Sequence, residues 1–270
     1  MLGEKTEEPE WASPRNMVGL NKKAKLACVF VLLVFVGSVS ATRAVYAVPA
    51  LALDGVGTNT TCQAPNCAAQ LLTTTRGYDV IVLVAECGYG YCPLAISSII
   101  DSSGLTFTQR ISYAPGVRLW EYYARATSPL KPDMITVVFD QSYGVVGIQV
   151  LAIHSANTRA IFDPNPSIPV TLSCLSLACE KGVSIQTYAL DFVIALTAIS
   201  DNQACGGYYV PGYGTLYKVP GFSTIISTGS LEVDFAITTA PQTTVVFGCT
   251  GTDAIAVVVD AVSFRGAFGT

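Results

Sequence analysis

The chain has a single histidine, His154, with two tryptophans and three methionines in 270 residues. Charged residues make up only 13% of it, and no window holds a sustained 3.6-residue apolar period, which argues against a helical bundle. One imidazole leaves little room for catalysis. Ser-His-Asp or Cys-His chemistry would have to route through His154, which ends an apolar strand-like run, and no serine lies in a nucleophile-elbow context. Zinc is disfavoured too: structural zinc sites draw on closely spaced Cys or His, the chain has one histidine, and in an exported chain paired cysteines read as disulfides. Basic residues are scarce too. From Val48 onward nine Lys and Arg stand against fifteen Asp and Glu, a net charge of −6, so the exported part cannot neutralise a phosphate backbone and nucleic acid is not its partner. Glutamates are few as well, with only Glu86, Glu121, Glu180 and Glu232 in that part. Glu232 and Asp234 share a strand face. That face continues to Ala236 and Thr238, so the acid pair that glycoside hydrolysis needs is missing.

What the sequence does have is an apolar run at 26–41, LACVFVLLVFVGSVSA, preceded by Lys22, Lys23 and Lys25. A basic cluster, an apolar stretch and a small-residue end make a secretory signal peptide, with exits after Ala41 or Ala47. Left uncleaved, the same run is a membrane anchor with its N-terminus in the cytoplasm under the positive-inside rule. Both readings export the C-terminal part. The leader before the run is long and carries Glu4, Glu7, Glu8 and Glu10, whereas a start at Met17 gives a leader of ordinary proportions. The sequence divides into a charged cytoplasmic leader at 1–25, the signal or anchor at 26–47, a Thr- and Asn-rich stalk at 48–69, and one β domain at 70–270.

Cys28 lies within the apolar run, and eight further cysteines succeed it: Cys62, Cys67, Cys87, Cys92, Cys174, Cys179, Cys205 and Cys249. Three sequential pairs share the spacing C-x4-C. In an exported chain this is a framework of up to four disulfides, three closing local loops and one joining distant segments, although eight cysteines permit 105 connectivities and proximity alone supports this one. Asn59-Thr60-Thr61 is an N-x-T glycosylation sequon.

Past the stalk come short runs rich in β-branched residues at 78–86, 94–101, 105–113, 117–126, 135–140, 145–154, 170–173, 183–187, 191–199, 231–239, 243–249 and 254–264. Turn residues separate them. In 105–113, Leu105, Phe107, Ile111 and Tyr113 alternate with polar residues, the period of a half-buried strand. Strands at this spacing predict an all-β, two-sheet antiparallel sandwich of immunoglobulin-like or jelly-roll topology, with no internal duplication visible.

Ile99-Ile100-Asp101-Ser102-Ser103-Gly104-Leu105-Thr106-Phe107, then Leu119-Trp120-Glu121-Tyr122-Tyr123 and Ile135-Thr136-Val137-Val138-Phe139, resemble a sandwich domain of secreted and cell-surface proteins of prokaryotes. Its pattern is D-x-x-G-x-T-[YF], an aromatic strand, a T-V-T-V-like strand, and a strand leading to an Asp after a loop, here Asp163. The resemblance implies fold and location, with no catalytic residues to carry over, and the cysteine loops depart from it.

Two sets of residues are candidates for binding. Asp101, Asp140 and Asp163 offer oxygen ligands to calcium, or act as turn formers. Tyr89 and Tyr91 in CGYGYC, and Tyr208, Tyr209, Tyr213 and Tyr217 in a Gly-rich stretch, offer faces for stacking on sugars or packing on another protein. The expectation is a non-enzymatic exported structural or adhesive surface protein that needs no cofactor, calcium being the one candidate. Its partners would be further copies or other surface proteins, and a membrane if the anchor is retained. The alternative is a carbohydrate-binding module whose platform is the tyrosine loops.

Overall fold

The computed structural model describes residues 50–63, 66–88, 93–142, 146–174, 183–188, 190–199, 223–228, 231–238, 240–241, 245–247 and 254–265. The leader and the signal or anchor run lie outside them. Val48–Thr270 forms one compact unit, and the described part is all-β with antiparallel sheets throughout.

The first half contributes β1 (Ala52–Val56), β2 (Thr58–Thr60), β3 (Cys67–Leu72), β4 (Asp79–Cys87), β5 (Ile96–Asp101), β6 (Thr108–Tyr113), β7 (Arg118–Ala126), β8 (Asp133–Phe139) and β9 (Val146–His154). The second contributes β10 (Val170–Ser173), β11 (Val183–Ile185), β12 (Asp191–Ile199), β13 (Ser223–Thr228), β14 (Leu231–Ile237), β15 (Val245–Phe247) and β16 (Ala254–Ser263). Among the described residues these strands form four sheets rather than two: β1-β9-β4-β7-β6, β2-β3-β8-β5, β10-β16-β12-β14-β13, and β11-β15.

The order in the two five-stranded sheets is the same. β1, β9, β4, β7 and β6 correspond in turn to β10, β16, β12, β14 and β13, and the β3–β8 pair corresponds to β11–β15. The fold is therefore duplicated although the sequence shows no repeat. Matching the pairing registers superposes Asp79 on Asp191, Glu121 on Val233 and His154 on Ser263.

The core explains why the central strands read as continuous apolar runs. Every residue of β4 and β12 is buried, because each of the two large sheets is covered on both faces. One face of β4 (Val80, Val82, Val84) meets Phe192, Ile194, Leu196, Val233, Val258 and Val262 of the other half. Its opposite face (Ile81, Leu83, Ala85) packs on Ile135, Val137 and Phe139 of β8. In the second half, the far faces of β12 and β16 pack on Val183, Ile185 and Phe247. Each such large aliphatic side chain contributes about 1.5–3 kcal/mol by leaving water. By contrast β8 has a single covered face, so Met134 is exposed while Asp133, Ile135, Val137 and Phe139 are buried.

The expectation of a stalk at 48–69 is corrected. Leu51 is buried, β1 pairs with β9, and β2 and β3 begin the four-stranded sheet. Small residues are required here by close approach rather than by flexibility. A Cβ on Gly57 would lie 2.3 Å from Oε1 of Gln70, a buried side chain that donates to the Ile148 carbonyl and accepts from the Val150 amide. The alternating segment 105–113 is a strand only from Thr108; its beginning is led by Gly104 at φ +81°.

Candidate functional site

The polar groups that the fold brings together are carboxyl pairs. β4 opens with Asp79, which is fully buried. Its Oδ1 lies 2.8 Å from Nδ1 of His154 at the end of β9, and the carboxyl of Asp54 in β1 stands beside it. Asp54 in turn accepts from the Thr75 hydroxyl and from the amides of Thr75 and Arg76. Burial pushes Asp79 above its ordinary range, and the Asp54 charge adds to this while His154 opposes it. Burial works against Asp54 as well, but the Thr75 and Arg76 donors hold it below its ordinary value.

The second half repeats this node. β12 opens with buried Asp191, beside Asp163. Asp163 accepts from the amides of Asn165 and Tyr188, both at 2.7 Å. Tyr188 precedes Asp191 by the same three positions that separate Arg76 from Asp79. Burial first, then the Asp163 carboxyl, pushes Asp191 up to about 8. Where the first half has His154, the second has Ser263, whose hydroxyl lies beside Asp191. The pair thus recurs at the start of the central strand in both halves, and the imidazole is present in one copy alone. His154 is half-buried and has Asp79 as its one hydrogen-bond partner among the described residues, a geometry that fixes a ring without presenting a nucleophile to it.

A third pair sits on the seam between the two large sheets. Asp260 of β16 receives Nε of Arg110 at 2.7 Å and its Nη2 at 3.2 Å, and Arg110 lies 4.0 Å above the Phe162 ring. Glu121 of β7 is fully buried against Asp260 and held well above the usual carboxylate range, by burial first and then by the Asp260 charge.

Among the residues singled out from the sequence, Cys62 and Cys67 form a disulfide with Cα atoms 6.0 Å apart, and Cys87 and Cys174 are disulfide-bonded as well. Cys92, Cys179, Cys205 and Cys249 lie outside the described residues, as do Tyr89, Tyr91, Tyr208, Tyr209, Tyr213 and Tyr217. Asn59 is exposed on β2, its Oδ1 accepting from Gln70. The three calcium candidates sit in separate turns. Asp101 caps the amides of Ser103 and Leu105, Asp140 accepts from the Ala95 amide, and Asp163 belongs to the node above. No group of three metal-ligating side chains occurs among the described residues. Glu232 and Asp234 are buried on the β14 face opposite Leu231 and Val233.

Sequence reasoning missed the carboxyl pairs. The available signal was a buried-strand run opening on an acid, YDVIVLVAE and LDFVIALTA, in which Asp79 and Asp191 stand at matching places. In comparisons with known proteins, the chain matches no family model, no curated protein and no solved structure.

Proposed function

We propose that the chain is a non-enzymatic structural or adhesive component of a cell envelope, surface filament or virion exterior. The apolar run at 26–41 exports it, and its body is two antiparallel sandwiches of jelly-roll order set back to back. The observation that carries this reading is the joining of sheets covered on both faces with disulfide-bonded Cys62–Cys67, Cys87 and Cys174. Disulfides persist in oxidising surroundings, and a body with so much of its apolar surface withdrawn from water suits long service outside the cell. The alternation of sequence-distant strands within each half supports a jelly-roll order, and the resemblance to prokaryotic surface sandwiches agrees with it. A glycan on exposed Asn59 would cover the β2 edge and keep it from pairing with a neighbour.

The test is immuno-electron microscopy of the native source with an antibody raised against the folded body. Label on intact, unpermeabilised cells or virions, in regular arrays or along filaments, is expected. Label that requires permeabilisation, or free thiols at Cys62 and Cys67 in native material, would overturn the reading.

A glycan-binding role is favoured by one observation. A cleft of about 370 Å³ is lined by Gly104, Leu105, Thr106, Thr108, Tyr123 and Arg125, offering hydroxyls, a ring and a cation to a sugar acid. A glycan array probed with wild type and Arg125→Ala tests it, binding that survives the substitution counting against this cleft.

A further inference from the structure

The three carboxyl pairs share one construction. In each, one acid is supplied with protein donors: Asp54 by Thr75 and Arg76, Asp163 by Asn165 and Tyr188, Asp260 by Arg110 and the Ala261 amide. The other acid keeps buried oxygens without a protein hydrogen bond of good geometry among the described residues: Oδ2 of Asp79, both oxygens of Asp191, beside which stand the neutral hydroxyls of Thr187 and Ser263, and both of Glu121. A buried carboxylate without donors carries a large desolvation cost, and two carboxylates in contact cannot both ionise. A proton on the unsupplied member removes both difficulties at once, because its O–H donates to the supplied member.

We infer that the folded chain holds three protons in its interior, one within each half and one across the seam between the halves, and that the body is thereby tightened in acid and loosened in alkali. The bound species is the proton. The exported-surface reading adds only the setting, the solution outside the cell.

The groups facing each proton are few. Asp191 meets Asp163, Thr187 and Ser263. Asp79 meets Asp54 and His154. Glu121 meets Asp260 and Arg110. Arg110 stays charged at all relevant pH, so it fixes which acid of the seam pair is ionised. For Asp191 the folded value of about 8 stands above an ordinary 3.8. Its stabilisation is therefore complete below the unfolded value and is lost as pH climbs through the folded one. Within that window each retained proton changes the folding equilibrium about tenfold per pH unit.

The experiment is guanidinium unfolding of the oxidised full chain at several values between pH 5 and pH 9. The midpoint is expected to fall with rising pH, and Asp191→Asn and Glu121→Gln should each flatten that fall by about tenfold per pH unit. Because either variant could fail to fold, proton release on unfolding the wild type in weakly buffered solution at pH 7.5 gives an independent reading. Release of between one and three protons is expected. A midpoint that is flat or rises with pH, or unfolding that releases no protons, would overturn the inference. Surface labelling is blind to this outcome, so the two readings fail separately.

Discussion

Arg110 shows what a single side chain does on the seam. It spans from β6 to β16, holds Asp260 through two nitrogens, donates to the Ile168 carbonyl and lies over Phe162. Removing one partner of a buried ion pair leaves the other charge stranded, whereas replacing the whole group by apolar residues is often neutral. Arg110→Ala should therefore destabilise by on the order of 3 kcal/mol, read as a lowered denaturant midpoint. A triple replacement, Arg110→Met with Asp260→Leu and Glu121→Leu, should recover most of that loss at neutral pH. The opposite ordering of the two would mean that the seam charges carry little energy.

At the scale of elements, cost should track burial rather than residue type. Leu196 is fully buried in β12 and faces the other half, so Leu196→Ala should cost about 2–5 kcal/mol. Met134 is 47% exposed in β8, and Met134→Ser should stay within about 0.5 kcal/mol. Gly57→Ala should be far worse than a glycine-to-alanine change normally is, because the added methyl meets Gln70, which is held at both ends of its amide. Thermal unfolding of the three variants orders them directly.

The same contrast decides which strands were legible. β10 and β12 are found at the residues their β-branched runs predict, and β4, β7, β9, β14 and β16 within one or two residues. β1, β2 and β3 escaped because ALDGV, TNT and CAAQLL are short, small or polar. Their strand character comes from pairing with β9 and β8, and that pairing is invisible in a local window. His154 was legible as a strand-end residue, yet its partner Asp79 lies 75 positions away and is set beside it by sheet topology alone.

On the scale of the whole molecule, the duplication stayed hidden for a physical reason. A strand covered on both faces accepts any apolar residue of suitable size. Matched positions such as Leu83 and Ala195, or Val84 and Leu196, therefore share burial without sharing identity. The two halves also share one core, since Val80, Val82 and Val84 have their contacts in the second half. A fragment ending after the first half, 48–158, is expected to aggregate or remain unfolded and never to sediment as a folded monomer. Analytical ultracentrifugation with circular dichroism checks this, and a well-folded monomeric fragment would show that the halves are independent.

The seam itself is not symmetrical. Glu121 faces Asp260, but the positions related to them by the repeat are Val233 and Leu151, an apolar couple. If two first halves met face to face, each would press Glu121 against Leu151, with no Asp260 to accept from its carboxyl or to pair with Arg110. Two second halves would likewise bring Asp260 against Val233, without Arg110. Each half thus recognises its complement and rejects its own likeness, so this seam closes only between a first half and a second half, within one chain or between two.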